Sequence, residues 1–107
     1  MITNLDYIKH NRVRIKEGSQ KNVTEIFKEF FENTNGTIKG LKGYGILENI
    51  ENDRETIVLT FWETREDMEN YYSKDNKILW DLVDKVKPMF EQMPERSDYK
   101  IALFEID

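Results

Sequence analysis

Few side chains in this 107-residue chain could do chemistry, and they are easily named. The chain has no cysteine and one histidine, His10. It therefore has no thiolate nucleophile, no disulfide framework and no Cys-based metal site. One histidine also rules out a two-histidine-one-carboxylate iron site within a chain. His10 could serve as a general base, since imidazole titrates at about pH 6.5. A lone histidine on a strand is more often structural or interfacial, and His10 is read that way. Its neighbour Asn11 is polar on a strand face otherwise formed by Val13 and Ile15. A buried amide needs partners. Either Asn11 satisfies nearby backbone, or it offers a hydrogen bond to a substrate or bound oxygen. Trp80 lies off the main apolar stripe of its helix and could line the mouth of a pocket with Tyr71 and Tyr72. The alternative is a broad stripe with a partly buried tryptophan. Asn11, Tyr71 and Trp80 are thus the candidate site residues, with Trp62 as a further aromatic liner. Phe27, Phe30 and Phe31 are assigned to the core, because a helical stripe already explains them.

The elements that must position these residues fit in one domain, residues 1–107. A chain of this length buries roughly two-thirds of its unfolded surface, so one core suffices without staples. The formal net charge of -5 argues against a nucleic-acid partner, which needs a basic face. No apolar run approaches the roughly 20 residues of a membrane helix. The first residues lack the basic and apolar blocks of a signal peptide. The expectation is a cytoplasmic protein without a membrane partner. Aromatic residues make up 12% of the chain, enough to fill a small core and line a pocket or interface.

The pattern along the chain is β-α-β-β-α-β. After a loose lead-in over residues 1–5, Tyr7 to Lys16 reads as a first strand. Asn11, Val13 and Ile15 share one face; His10, Arg12 and Arg14 share the other. Ser19 is a candidate N-cap for a helix from Gln20 to Asn33. Its apolar stripe is Val23, Ile26, Phe27, Phe30 and Phe31, and Asn35-Gly36 stops it. Leu41 to Ile50 reads as a second strand whose glycines permit a bulge. Asn52-Asp53 turns the chain into a third strand, Glu55 to Trp62. Thr64 caps a short helix from Arg65 to Tyr72, with Glu66 and Asp67 at the positive end of its dipole. A second helical segment, Asn76 to about Glu91, carries Ile78, Leu79, Leu82, Val83, Val86 and Phe90 on one face. Pro88 should kink or end it. A loop from Met93 to Asp98 leads to a last strand, Tyr99 to Ile106.

This order predicts an α+β, ferredoxin-like fold: a four-stranded antiparallel sheet with helices on one face. The last two strands carry apolar residues on both parities, so the open face should present an apolar patch. Such a patch usually marks association. The simplest outcome is a symmetric homodimer with the open sheet faces packed together. Arg12 and Arg14 should make ion pairs across strands or across the dimer, with Glu48 and Glu105 available as partners.

Three stretches carry a family resemblance. They are Asn11-Arg12-Val13-Arg14-Ile15-Lys16-Glu17-Gly18, then Gly40-Leu41-Lys42-Gly43-Tyr44, then Val58-Leu59-Thr60-Phe61-Trp62-Glu63 leading into an acidic helix. In this order the chain resembles the antibiotic-biosynthesis-monooxygenase (ABM) superfamily from about Ile8 to Ile106. The resemblance implies a dimeric α/β barrel built from two ferredoxin-like units. Its members include quinone-forming oxygenases and heme-degrading enzymes. The heme-degrading branch looks nearest. There the resemblance implies a pocket asparagine at Asn11 and places Tyr71 where that branch has a tryptophan. It places Asp81, beside Trp80, where that branch has the iron-ligating histidine. The ligand is absent here, and a carboxylate is a poor substitute for imidazole at ferrous heme.

Three functions follow. The first is oxygen-dependent oxidation of a small aromatic or quinol without metal or cofactor, the protein desolvating and orienting a substrate that itself reduces oxygen. The second is heme binding or degradation with non-standard ligation. The third is non-catalytic binding of a small molecule. Fold alone does not choose among them.

Overall fold

The computed structural model describes residues 5–106. The lead-in expected over residues 1–5 lies outside it except for Leu5, as does Asp107. Strand β1 spans Tyr7–Arg14, helix α1 Gln20–Thr34, β2 Leu41–Glu48 and β3 Glu55–Trp62. Helix α2 spans Arg65–Tyr71, α3 Lys77–Val86, and β4 Glu95–Lys100. All pairings are antiparallel, in the order β2-β3-β1-β4. This is the ferredoxin-like α+β arrangement, with the helices on one sheet face.

The helix-covered face is set by alternation along the two central strands. Asn11 and Val13 on β1, and Thr56, Val58, Thr60 and Trp62 on β3, are buried. Beneath the helices they meet Val23 and Phe31 of α1, Met68 and Tyr71 of α2, and Leu79, Leu82 and Val86 of α3. Ile78, expected on the buried stripe of α3, is instead 64% exposed on its outer side. The opposite parity, with Ile8, His10, Ile57, Leu59 and Phe61, faces away from the helices.

Capping chemistry fixes α2 and α3 more firmly than α1. The Thr64 hydroxyl accepts from Asp67 N–H at 3.1 Å, as a capping residue should. Asn76 accepts from Leu79 N–H and donates through Nδ2 to the Tyr71 carbonyl at 2.7 Å, tying α2 to α3. Ser19 sits at the N-cap of α1, but its backbone is already helical and its side chain caps nothing. Pro88 falls in a 3₁₀ turn, Lys87–Met89, that closes α3 at Val86. The missing proline N–H and its fixed φ account for that early end.

Three strands differ from expectation in their bounds, the simplest being β2, which ends at Glu48 rather than Ile50. β1 ends at Arg14, because Ile15 leaves the regular ladder to bridge Phe90 while its N–H bonds the Arg54 carbonyl. The last strand lies earlier than Tyr99 to Ile106: it runs through the stretch read as a loop. β1 dictates this, since Arg12 pairs with Glu95 and Tyr7 with Lys100, and Ile101 N–H reaches the Asp6 carbonyl at 2.8 Å. Among the described residues the strand ends at Lys100, and the apolar residues from Ile101 to Ile106 lie outside it. Phe104 folds onto Phe61 on the open face, ring centroids 5.4 Å apart. Arg12 pairs with Glu55 rather than with Glu48 or Glu105, at 2.7 Å. Glu48 instead accepts from the Thr24 hydroxyl. No helix among the described residues is long and apolar enough to cross a membrane.

Candidate functional site

Sheet and helices enclose a cavity of about 40 Å³. Its floor is Asn11, Val13, Val58 and Thr60; its roof is Phe27, Phe30 and Phe31 from α1 with Leu79, Leu82, Val83 and Val86 from α3. Tyr71, Tyr72, Phe90, Pro94 and Arg96 complete the wall. That volume holds about three waters. A ring-sized ligand requires α1 and α3 to part. The groove between those helices, about 310 Å³, shares Phe30 and Leu82 with the cavity, so these two side chains separate inner chamber from outside.

One wall is polar and internally wired. Asn11, 7% exposed, donates through Nδ2 to the Val58 carbonyl at 3.0 Å, across the strand pair that sets them opposite one another. The Trp62 indole N–H donates to Thr60 Oγ1 at 2.8 Å, and Thr60 Oγ1 lies 2.9 Å from the Tyr72 hydroxyl. The Thr60 hydroxyl either donates to the Tyr72 hydroxyl or accepts from it. Tyr72 is therefore the end of a hydrogen-bonded chain that starts at the buried Trp62 and reaches the cavity wall. Burial raises its pKa; Thr60, Asn11 and Arg96 each act in the opposite sense without cancelling it. Burial likewise pushes the Tyr71 phenol well above its ordinary value, with neighbouring Tyr72 adding to the effect. Both phenols are neutral at ordinary pH.

The structure brings two of the three candidate residues onto the cavity wall, Asn11 and Tyr71. Trp80 is not on it. Its indole N–H bonds the Ser73 carbonyl at 2.8 Å, and its ring lies 5.2 Å from the Arg96 guanidinium at the rim. Trp62 is likewise no liner: it is fully buried behind Thr60, its ring against Tyr71 at 5.2 Å. Phe27, Phe30 and Phe31 are packed with the core and also form the cavity roof. His10 faces the open side, its ring edge-on to Tyr99.

Sequence reasoning missed Thr60 and Arg96, and named Tyr72 only in passing. Thr60 could have been found from parity, since it alternates with Val58 and Trp62 on the buried face. Arg96 could not, because its face depends on the displaced register of β4, which sets it opposite Asn11.

The residues do not fit a heme. Asp81, where the resemblance to the heme-degrading branch would put the iron ligand, accepts from Lys77 Nζ at 2.6 Å and lines the outer groove instead of the cavity. His10 is on the other side of the sheet. Among the described residues, no three His, Cys, Asp or Glu side chains cluster to hold a metal ion.

Comparison with known proteins fits this architecture. SnoaB, a cofactor-independent oxygenase from Streptomyces nogalater seen as a single-residue variant, superposes with a TM-score of 0.76 at 9% identity, over 92% of this chain and 95% of that one. A conserved protein from Methanosarcina mazei Go1 gives 0.75 at 16% identity, over 89% and 91%. A protein of unknown function from Nitrosomonas europaea gives 0.76 at 9%, over 96% and 95%. At such identities these likenesses speak for the fold. No curated protein matches the chain in sequence. The family profile described as antibiotic biosynthesis monooxygenase matches residues 6–76, well over half of the sequence, and the chain belongs to that family.

Proposed function

We infer that the protein is a monooxygenase that oxidises a small electron-rich aromatic or quinol in the cavity between helices and sheet, using molecular oxygen and no metal. The observation that carries this reading is the composition of the cavity: aromatic and aliphatic walls on nearly every side, with one neutral hydrogen-bonding wall of Asn11, Thr60 and Tyr72. Such a site can orient a flat ring and exclude water. SnoaB, of the same fold, is a cofactor-independent oxygenase.

The chemistry asks little of side chains. A hydroxyarene and one molecule of oxygen give a quinone and one water. One oxygen atom is retained on the ring carbon, the other leaves as water, and all four electrons come from the substrate and its two departing hydrogens. The protein's contribution is proximity and exclusion of solvent. Asn11 is the positioning amide: its Nδ2 donates to the Val58 carbonyl, which fixes the side chain on the cavity floor.

We further infer a homodimer formed through the open sheet face. Ile57, Leu59 and Phe61 lie on it, with Tyr99 at 54% and Leu47 at 50% exposure beside them.

The test is oxygen uptake with 1-naphthol as substrate, with quinone formation followed by absorbance. Catalysed uptake that falls at least tenfold in Asn11→Ala, with folding retained, supports the reading. Ligand-induced thermal stabilisation without any uptake would assign the protein to binding rather than turnover. A saturable Soret shift on hemin titration would reinstate heme.

A further inference from the structure

The groove between α1 and α3 has an apolar path and a charged mouth. Ile78 of α3 is 64% exposed. A single exposed isoleucine needs no account. Here it shares the groove with Ile26 of α1, and both lead to Phe30 and Leu82, the side chains that the groove shares with the inner chamber. Glu29 and Lys85 are exposed where they line it.

The seam between these helices carries no polar tie. Polar side-chain bonds fasten α1 to the sheet only near its start: Gln20 Nε2 donates to the Glu55 carbonyl at 3.1 Å, and the Thr24 hydroxyl donates to Glu48 at 2.6 Å. α3 is fastened at its own start, through Asn76 to the Tyr71 carbonyl and Trp80 to the Ser73 carbonyl. Among the described residues no hydrogen bond or ion pair joins α1 to α3. Parting them exposes apolar surface but breaks no directional bond. The rim at Pro94 and Arg96 is different. There β4 is paired along β1 from Glu95 to Lys100, so widening it means breaking the sheet. Within the seam one ring is loose. Phe31 is 3% exposed and stacked on Tyr44, centroids 4.4 Å apart and planes 6° from parallel. Phe30 is only half-buried and meets Phe31 edge-on at 5.6 Å. A helical phenylalanine has two χ1 wells, so its ring has two settings rather than a continuum. Leu82, 7% exposed, is the fixed lip beside it.

We propose that ligands enter the cavity through the α1–α3 groove, and that Phe30, closing against Leu82, is the gate that sets how wide a ring system is admitted. The proposal rests on the cavity being the substrate site and adds to it a residue that determines specificity by size. A cavity that holds benzene measures about 150 Å³. The closed chamber, about 40 Å³, is far smaller. With Phe30 drawn back from Leu82, the chamber and the groove of about 310 Å³ become one space. That space falls in the range of small-molecule sites, about 300–1,000 Å³. The Ile26 and Ile78 side chains keep an apolar molecule in contact with apolar surface on its way in. A gate acts on entry and exit alike, because both cross the same barrier. A residue that is only a wall changes affinity, and does so mainly through exit.

The test follows binding of 1-naphthol and of the wider 1-hydroxypyrene to the full-length protein by stopped-flow fluorescence. Wild type should take up the wider probe at least about tenfold more slowly, a modest difference in barrier height. Phe30→Ala should raise the entry and exit rates of 1-naphthol together, by at least about tenfold, and narrow the gap between the probes. Phe30→Leu should do the same to a smaller degree, and thermal unfolding checks that both variants fold. A second measurement leaves Phe30 in place. The chain has no cysteine of its own, so Glu29→Cys with Lys85→Cys can be joined across the groove by a short bifunctional maleimide. The cross-link should slow entry of 1-naphthol at least about tenfold relative to the same variant capped with a monofunctional maleimide. If the Phe30 variants change exit alone, or if the cross-linked protein takes up 1-naphthol at the capped rate, the gate is overturned while the cavity reading stands. If 1-naphthol does not bind the wild-type protein, both fall.

Discussion

Replacing Thr60 by Val tests the polar wall without changing its shape. The two side chains have the same outline, so what is lost is one hydroxyl. That hydroxyl accepts from the Trp62 indole at 2.8 Å and bonds the Tyr72 hydroxyl at 2.9 Å. Thr60 is 1% exposed and Trp62 is fully buried, so water cannot replace the lost acceptor. An orphaned buried donor costs about 1–3 kcal/mol, and the second bond about 0.5–1.5 kcal/mol. Together the substitution should cost about 2–4 kcal/mol, a large share of the roughly 5–15 kcal/mol that holds a domain folded. In urea, with a slope of about 2 kcal/mol per molar, the midpoint should fall by about 1–2 M. Thr60→Ser restores the hydroxyl and should recover most of the loss, the missing methyl costing about 1 kcal/mol. A Thr60→Val protein within about 0.5 kcal/mol of wild type would refute the hydrogen-bonded chain as a stabilising element.

Two further outcomes follow from named groups. Tyr71 and Tyr72 have raised pKa values in the folded state, so the stability they contribute is complete below about pH 10, the ordinary phenol value. It is lost as pH rises beyond that towards their folded values. Thermal midpoints should fall on alkaline titration of wild type, and Tyr71→Phe and Tyr72→Phe should each flatten the fall; an unchanged alkaline limb in both would contradict the burial argument. Leu59→Lys places a charge at the centre of the open sheet face, paired opposite His10 and Gly45. Sedimentation velocity should show the wild type as a dimer and the variant as a folded monomer, whereas a wild-type monomer would remove the dimer altogether.

The fold is legible in the sequence because its signals are local and mutually consistent. The β3 run from Glu55 to Trp62 is nearly continuous in apolar and β-branched residues, the α1 stripe has helical spacing, and Thr64 caps α2 where capping chemistry places it. The last strand is the exception, for a physical reason. Glu95 to Lys100 is polar and exposed throughout, so it carries no burial pattern, while Ile101 to Ile106 is apolar and more strand-like in composition. What decides the register is pairing with β1, a non-local constraint that no window of residues reveals.

The same displacement governs how much of the site can be read. Asn11 stands out because a polar residue interrupts an apolar face, and Tyr71 because it recurs at helical spacing. Both signals lie within a single element. Arg96 has meaning only through three elements at once: β4 must slide until it faces Asn11, α2 must end so that Tyr72 presents its ring, and α3 must supply Trp80. Trp80 itself shows the limit. Its place off the helical stripe is visible in the sequence and suggests contact with a ligand, whereas the ring serves the guanidinium and the indole N–H serves Ser73. Residues that build a site by holding other residues leave little trace in one-dimensional patterning, because their partners are distant in sequence. In this chain the neutral polar wall and the rim cation belong to that class.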